Sequence, residues 1–311
     1  MARAMALLLL LFAMPGAAGA GMPREPQAVE PWLQARESRE PGVRPGTERT
    51  VRWASGSPAR TALALVYLHG YSATRQEVSP LTEQLADTLG ANLYLTRLSG
   101  HGRDGEAMRE ATAEALREDA LEALAIGKAI GDRVVLVSTS TGGTLSTWLA
   151  AADPDPALAA LVMISPNFAA RDRALYVLDW PVVGPLLIAW FGDDYRSWQP
   201  WNDAQARYWT WSYPYAALPE LVRLMREVED IDKARITVPA LMIYSPQDQV
   251  VDPAAIESAY AAWGAKDKQL VRYEKAGDPS QHVLAGDVLS PTSTAEIGRI
   301  VREYLRRLGL S

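Results

Sequence analysis

Ser140 stands where the run Arg133-Val-Val-Leu-Val-Ser-Thr-Ser-Thr-Gly-Gly-Thr144 passes from a β-branched strand pattern into small residues and then into a helix. A serine hydroxyl is a weak nucleophile. To attack a carbonyl it must sit on a sharp turn where a base can take its proton and backbone N–H groups can receive the oxyanion. Such a turn needs small residues two before and two after the serine, so that strand and helix approach closely. Here they are Ser138 and Gly142. The usual spacing is Gly-x-Ser-x-Gly, and this chain departs from it only in carrying Ser138 for the first glycine.

The base follows from chain order. Strand–elbow–helix hydrolases place nucleophile, acid and histidine in that sequence, and of the three histidines, His69, His101 and His282, only His282 follows Ser140. Between them, the apolar stretch Pro239 to Tyr244 ends in a loop with Asp248 and Asp252. Asp252 precedes Pro253 and a helical pattern, so capping that helix is a sufficient role for it. Asp248 lies just past the strand's carboxyl end, where catalytic loops of parallel sheets gather, and it is the expected orienter of His282. Asp278 is the weaker competitor, because Asp278-Pro279 reads as turn chemistry. For the oxyanion, the residue after the nucleophile supplies one N–H, that of Thr141. The second is expected from Tyr71, in the loop His69-Gly70-Tyr71-Ser72 after the apolar strand Ala62 to Leu68. His69 and Gly70 shape that turn, with His69 read as a structural histidine.

These residues resemble the α/β-hydrolase superfamily, in particular its serine esterase, monoacylglycerol lipase and lysophospholipase-like branch. The resemblance runs from about Thr61 to the C-terminus. It rests on the His69-Gly70 loop, Ser99-Gly-His-Gly102, the elbow at Ser140, Asp248 before Val250-Val251, and His282. It implies a mostly parallel central sheet covered by helices on both faces, with an inserted helical cap. Relatives often carry an aspartate three residues before the Gly-His-Gly turn, where this chain has Arg97.

The elements that must position these groups follow the βαβ rhythm. Helices are expected over Ser79 to Leu89, ended by Gly90, and over Thr112 to Ile130, ended by Gly131. Strands near Asn92 to Thr96, Val134 to Val137, Ala160 to Ile164 and Ala240 to Tyr244 are apolar enough to be covered on both faces. A closing helix is expected over Ala295 to Leu308. The rhythm fails between Ile164 and Ile236, and six of the ten tryptophans lie there: Trp180, Trp190, Trp198, Trp201, Trp209 and Trp211. Most of these rings are expected to form the cap's own core. The run Trp180 to Phe191 is apolar all round and broken by proline, which suits a mobile lid or a lipid-touching surface. Trp180, Leu186, Leu187 and Trp190 are accordingly expected to bind substrate, with transient contact to a lipid surface through the cap.

Met1-Ala-Arg3, the apolar stretch Ala4 to Met14 and the ending Ala18-Gly19-Ala20 read as a signal peptide. The alternative is an uncleaved anchor, but the apolar run is shorter than the roughly 20 residues of a spanning helix. The export reading predicts a mature protein beginning near Gly21 and found outside the cytoplasm, periplasmic or secreted. Intact-mass measurement on cell fractions decides it, and full-length protein retained in the membrane overturns it. The segment from Gly21 to about Arg49, rich in Pro, Glu and Arg, reads as an extended strap tacked down by Trp32-Leu33. The expected division is 1–20 signal peptide, 21–60 strap and first strand, 61–169 first half of the core, 170–235 cap, and 236–311 second half.

At 311 residues and 48% hydrophobic, the chain can bury one large core with an insert. A net charge of −6 without a basic run disfavours nucleic acid as a partner, and zero cysteines with three scattered histidines disfavour zinc. Three functional classes result. The leading one is hydrolysis of a small-molecule carboxylic ester through an acyl-enzyme, for which no cofactor is expected because the Ser–His–Asp groups supply their own proton transfer. Another is a peptidase or amidase on the same groups, which would use acidic cap residues such as Asp193 and Asp194 to capture an amine. The third, a non-catalytic lipid-binding relative, is disfavoured because all three positions are filled.

Overall fold

The computed structural model describes residues 21–152 and 154–311; the signal-peptide reading of 1–20 lies outside the described residues. The chain opens with α1 (Pro26–Glu37) and β1 (Thr50–Arg52), then β2 (Thr61–Leu68), α2 (Leu81–Leu89), β3 (Asn92–Leu95), α3 (Ala113–Ile130), β4 (Gly131–Thr139), α4 (Thr141–Ala152) and β5 (Leu158–Ile164). The insert holds α5 (Val183–Phe191), β6 (Tyr195–Ser197), α6 (Asp203–Tyr208), β7 (Ser212–Pro214) and α7 (Leu218–Glu229). The core resumes with β8 (Ala240–Tyr244), α8 (Pro253–Ala262), β9 (Lys268–Arg272) and α9 (Thr294–Arg307).

Seven strands form one sheet in the order β1-β3-β2-β4-β5-β8-β9. All neighbours are parallel except β1 with β3. Period-two alternation sends Ala64, Val66 and Leu68 of β2 and Val134 and Leu136 of β4 to one face. That face packs against α1, α3, α4 and α8, with α7 lying on α3 and α4. Leu63, Leu65 and Tyr67, with Val135 and Val137, point to the other, where α2 and α9 cover them. Both faces are therefore dry, as the near-continuous apolar strands require. Gly90 ends α2 in the left-handed conformation at φ +60°, and Thr112 caps α3 by accepting from the Ala115 N–H.

The N-terminal strap is not extended. Residues 26–37 form α1, with Pro26 in the first turn, where its missing N–H costs nothing. The helix is held by its tertiary contacts: Val29 and Leu33 are buried against the sheet, and Glu37 and Glu40 reach two interior arginines. The Arg97 guanidinium is fully buried, 3.1 Å from Glu37 and 3.3 Å from Glu40, and it also donates to the His101 carbonyl. Arg49 pairs with Glu37, Asp119 and Glu122. This network accounts for the cation at position 97, since its counter-ions come from the end of α1 and the turn that follows it.

The insert's core also differs from expectation. It is built on Tyr176, Tyr213, Leu218, Leu221, Val222 and Met225, seated on Met108 of the main body. Of the six tryptophans, only Trp209 is buried, against Ala73, Val283 and Leu289. Trp180, Trp190, Trp201 and Trp211 are exposed. The insert also contains a two-stranded antiparallel ribbon, β6 with β7, that sequence periodicity did not reveal.

Candidate active site

β4 ends at Thr139, α4 begins at Thr141, and Ser140 between them is held at φ +53°, in the left-handed region that a non-glycine residue rarely occupies. The Ser140 N–H still donates to the Ile164 carbonyl of β5 at 3.0 Å, while its own carbonyl already accepts from Gly143 at 2.8 Å and from Asn167 at 3.0 Å. One residue thus serves sheet and helix together through the two peptides that flank it, which fixes the strained turn. Gly142 is obligatory: a Cβ there would lie 2.0 Å from the Leu68 carbonyl oxygen. Ser138 is tolerated because it is a buried strand residue whose hydroxyl faces the Val162 carbonyl at 3.4 Å.

His282 reaches the same place from the loop after β9. Its Nδ1 lies 2.8 Å from Asp248 Oδ2, leaving Nε2 as the nitrogen available to a nucleophile's proton. Asp248 is fully buried, and its Oδ1 accepts from the Val250 and Val251 N–H groups at 2.8 and 2.9 Å. Both oxygens are committed, so the carboxylate cannot rotate away from the ring. The other two aspartates do different work. Asp252 caps α8 by accepting from Ala254 at 3.0 Å and pairs with Arg173. Asp278 accepts from the Ser280, His282 and Val283 N–H groups, shaping the histidine's loop without touching its ring.

Burial alone would lower the His282 pKa. The facing Asp248 carboxylate, with Glu77 and Asp278 behind it, outweighs that and raises it above the ordinary value of about 6.5. A base must be neutral to accept a proton, so kcat/KM is expected to climb with pH through a value above that of an ordinary histidine. Asp248→Asn removes the charge and should move the limb down. An acidic limb in the wild type at or below about 6.5 would contradict this electrostatic account.

Among the described residues, neither the Tyr71 nor the Thr141 N–H donates to another protein group. The Tyr71 side chain turns toward the insert, where its hydroxyl donates to the Ala217 carbonyl at 2.8 Å. His69 accepts at Nε2 from the Leu98 N–H and so carries its proton on Nδ1, which donates to the Gly70 carbonyl at 2.9 Å. Burial pushes its pKa well below the usual histidine range, with the neighbouring His101 adding to the shift. It is neutral and structural.

Ser140, Thr141, Tyr71 and His282 line one cavity of about 360 Å³. Its walls are Leu175, Trp198, Trp209, Tyr213, Leu221 and Leu289, and Arg196, Asp172 and Gln249 also line it. Trp180, Leu186, Leu187 and Trp190 do not. Leu186 is 65% and Trp190 89% exposed on the outside of α5, Trp180 is exposed beside them, and Leu187 is half-buried. The physical reason is that α5 packs on the turns at Arg173–Asp179 and Tyr215–Ala217, outside the cavity lining. Asp193 and Asp194 also lie outside the cavity, and Asp193 pairs with Arg109 on the surface. Glu77 and Asn167, not singled out from the sequence, line the cavity; the spacing of Glu77 seven residues after Gly70 carries no motif signal.

An elbow serine and a histidine held by a locked carboxylate, lining one cavity at the carboxyl end of a doubly covered sheet, are the working parts of a serine hydrolase with the α/β-hydrolase fold. Residues 59–277 match the family model of the serine aminopeptidase S33 hydrolases (Hydrolase_4), and the chain belongs to that family. A thermostable monoacylglycerol lipase from Bacillus sp. (strain H-257) is 28% identical over 232 residues, covering 74% of this chain and 86% of the relative. Among solved structures, a metagenome-derived lipolytic enzyme superposes with a TM-score of 0.67 at 23% identity, covering 85% of this chain and 99% of the other. The monoacylglycerol lipase of Paleococcus ferrophilus gives 0.57 at 17% identity, covering 85% and 100%. At these identities the structural likeness is one of fold.

Proposed function

We propose that this protein hydrolyses carboxylic esters of small, monoacyl substrates, with Ser140 as nucleophile, His282 as base and then acid, Asp248 as its orienter, and the Tyr71 and Thr141 N–H groups as oxyanion donors. The observation that carries the reading is the cavity itself: Ser140 and His282 face a chamber walled by aromatic and aliphatic side chains and sized for a short or medium acyl group. The curated relative is a monoacylglycerol lipase, which favours the same chemistry. The family model's own description is of a serine aminopeptidase, and a peptidase on these groups would need an anion to hold the substrate amine. The acidic pair Asp193 and Asp194 lies outside the cavity, and the carboxylate on its wall that such a reading would call on is Asp172.

The exposed apolar surface of Val182, Leu186 and Trp190 has a role in this proposal: it touches the lipid phase that holds the substrate, while the inner wall selects the acyl chain. Action outside the cytoplasm is part of the same proposal, and rests on the run Ala4 to Met14 and the Ala18-Gly19-Ala20 ending.

Turnover of p-nitrophenyl esters of graded length, beside aminoacyl-anilides, tests the class. Esters should be cleaved and anilides left. Polar replacement of Leu221 should lower kcat/KM for butyrate and octanoate more than for acetate, on the scale of about 1 kcal/mol per CH₂ that loses apolar surface. Replacing Trp190 with a polar residue should spare soluble esters and weaken activity on vesicle-borne substrate. Faster anilide cleavage would overturn the ester assignment, and equal losses at all chain lengths for Leu221 variants would remove it from the acyl wall.

A further inference from the structure

The loop that carries the Tyr71 N–H is held by a buried carboxylate that the hydrolytic scheme does not use. Glu77 ends the short helical turn Arg75–Glu77, and only 2% of it is exposed. Its Oε2 accepts from the Gly70 N–H at 2.8 Å and from the Tyr67 hydroxyl at 2.8 Å. The same hydroxyl lies 3.1 Å from Thr139 Oγ1, the residue before the nucleophile. A continuous polar chain thus runs beneath the site, from the end of β4 through Tyr67 and Glu77 to Gly70. A Cβ placed on Gly70 would lie 2.8 Å from Glu77 Oε1 and 3.1 Å from Ser140 Cβ, so carboxyl and nucleophile flank the same glycine. On its other side, the Glu77 carbonyl abuts Gly286, in the loop that follows His282.

Among the described residues no arginine or lysine pairs with Glu77, and a buried carboxylate so placed costs stability, so mere packing does not account for it. What it holds does. Gly70 has no side chain to restrict its dihedrals, and hydrogen bonds fix the peptide planes on its two sides: the Glu77 bond alone on the N–H side, and on the carbonyl side the His69 ring together with the Ala73 N–H at 3.2 Å. Glu77 accepts from the Gly70 N–H, and the His69 Nδ1–H donates to the Gly70 carbonyl. The Tyr71 N–H belongs to that second plane and points opposite to the Gly70 carbonyl. Fixing both planes therefore aims the Tyr71 N–H.

We infer that Glu77 is a positioning residue for ester hydrolysis, a clamp whose carboxylate oxygen holds the Gly70 N–H and thereby keeps the Tyr71 N–H aimed at the developing oxyanion. The inference rests on the ester-hydrolase reading above. Oxyanion donors contribute only when preorganised, so the clamp acts on kcat and leaves ground-state binding alone. Its action is through hydrogen bonding, which sets the order of the variants. Glutamine keeps the length and a carbonyl oxygen that can accept both donors. Aspartate keeps the charge but is one methylene short.

The test is steady-state kinetics on p-nitrophenyl butyrate, with inhibition by an alkyl boronic acid and fluorophosphonate labelling of the wild type. Glu77→Ala and Glu77→Asp are each expected to lower kcat by about 10- to 100-fold, a fraction of the effect of deleting a donor outright, with KM held within about threefold. Boronate affinity should fall in parallel with kcat, and Glu77→Gln should recover to within about fivefold of wild type. If the shortened variants fail to fold, Gly70→Ala reads the same clamp from its other side, because the new Cβ must displace Glu77 Oε1 or Ser140, and the same fall in kcat at constant KM is expected. An aspartate variant at least as active as the glutamine one would assign the role to charge and overturn the clamp, as would wild-type kcat in Glu77→Ala or Gly70→Ala. A wild type that neither turns over ester nor labels at Ser140 removes the ester reading and the clamp together. Labelling with no loss in Glu77→Ala removes the clamp alone.

Discussion

Ser140→Ala is expected to abolish ester turnover and covalent labelling by a fluorophosphonate while the protein stays folded. The hydroxyl sits at the apex of the elbow; removing it leaves the N–H groups and the cavity, which form no acyl-enzyme and give only a small residual rate over water. Folding should survive, because the backbone bonds from Ser140 to Ile164, Gly143 and Asn167 do not involve the side chain. Alanine is less at ease at φ +53°, so a modest loss of thermal stability is expected alongside. Ser138 is the internal control, since its hydroxyl faces a strand carbonyl. Labelling that persists in Ser140→Ala and disappears in Ser138→Ala would reassign the nucleophile.

The second large effect is at the acid. Asp248→Asn should lower kcat by several orders of magnitude, about 10⁴ in the best-studied Ser–His–Asp enzyme, because the amide can present its N–H₂ to His282 and favour the wrong tautomer. Here the effect should be strong. Oδ1 is committed to the Val250 and Val251 N–H groups, so an asparagine that keeps those two bonds must turn its nitrogen toward the ring. Asp252→Asn should be mild, since asparagine also caps helices and only the partly exposed pair with Arg173 is lost. Comparable losses at 248 and 252, measured on one ester at one pH, would overturn the assignment.

Much of this site was legible in the chain because the relevant signals are local. An elbow is a strand pattern, a serine and small residues within a dozen positions, and a helix cap declares itself through Asp252-Pro253. The insert was less legible for a physical reason. The run Trp180 to Phe191 is apolar on every side, so its sequence cannot say which side meets the cavity; in the fold, none of its flagged side chains does. The inner wall comes instead from Trp209, packed with Val283 and Leu289, and from Leu221, packed with Met108 and Tyr176, all partners distant in sequence. Helix α1 was missed because its two prolines and dense charge weaken the helical pattern, and its stability comes from partners some sixty residues away, such as Arg97. Strand β9 was missed because Lys268–Arg272 offers only two apolar residues, enough for an edge but not for a central strand. Glu77 has no motif. Its role exists only once Gly70 is folded against it.

The arginine pair beneath α1 also says where this unit can be cut. The family model begins at residue 59, yet a gene shortened to that point would delete Arg49 along with Glu37 and Glu40, and leave the Arg97 guanidinium in the interior with its two carboxylates gone. Stranding one partner of a buried pair costs about 3–5 kcal/mol, a large share of what a domain has in reserve. The homologous segment and the folding unit are thus different lengths of chain, and the boundary for expression, fusion or domain grafting lies ahead of Pro26.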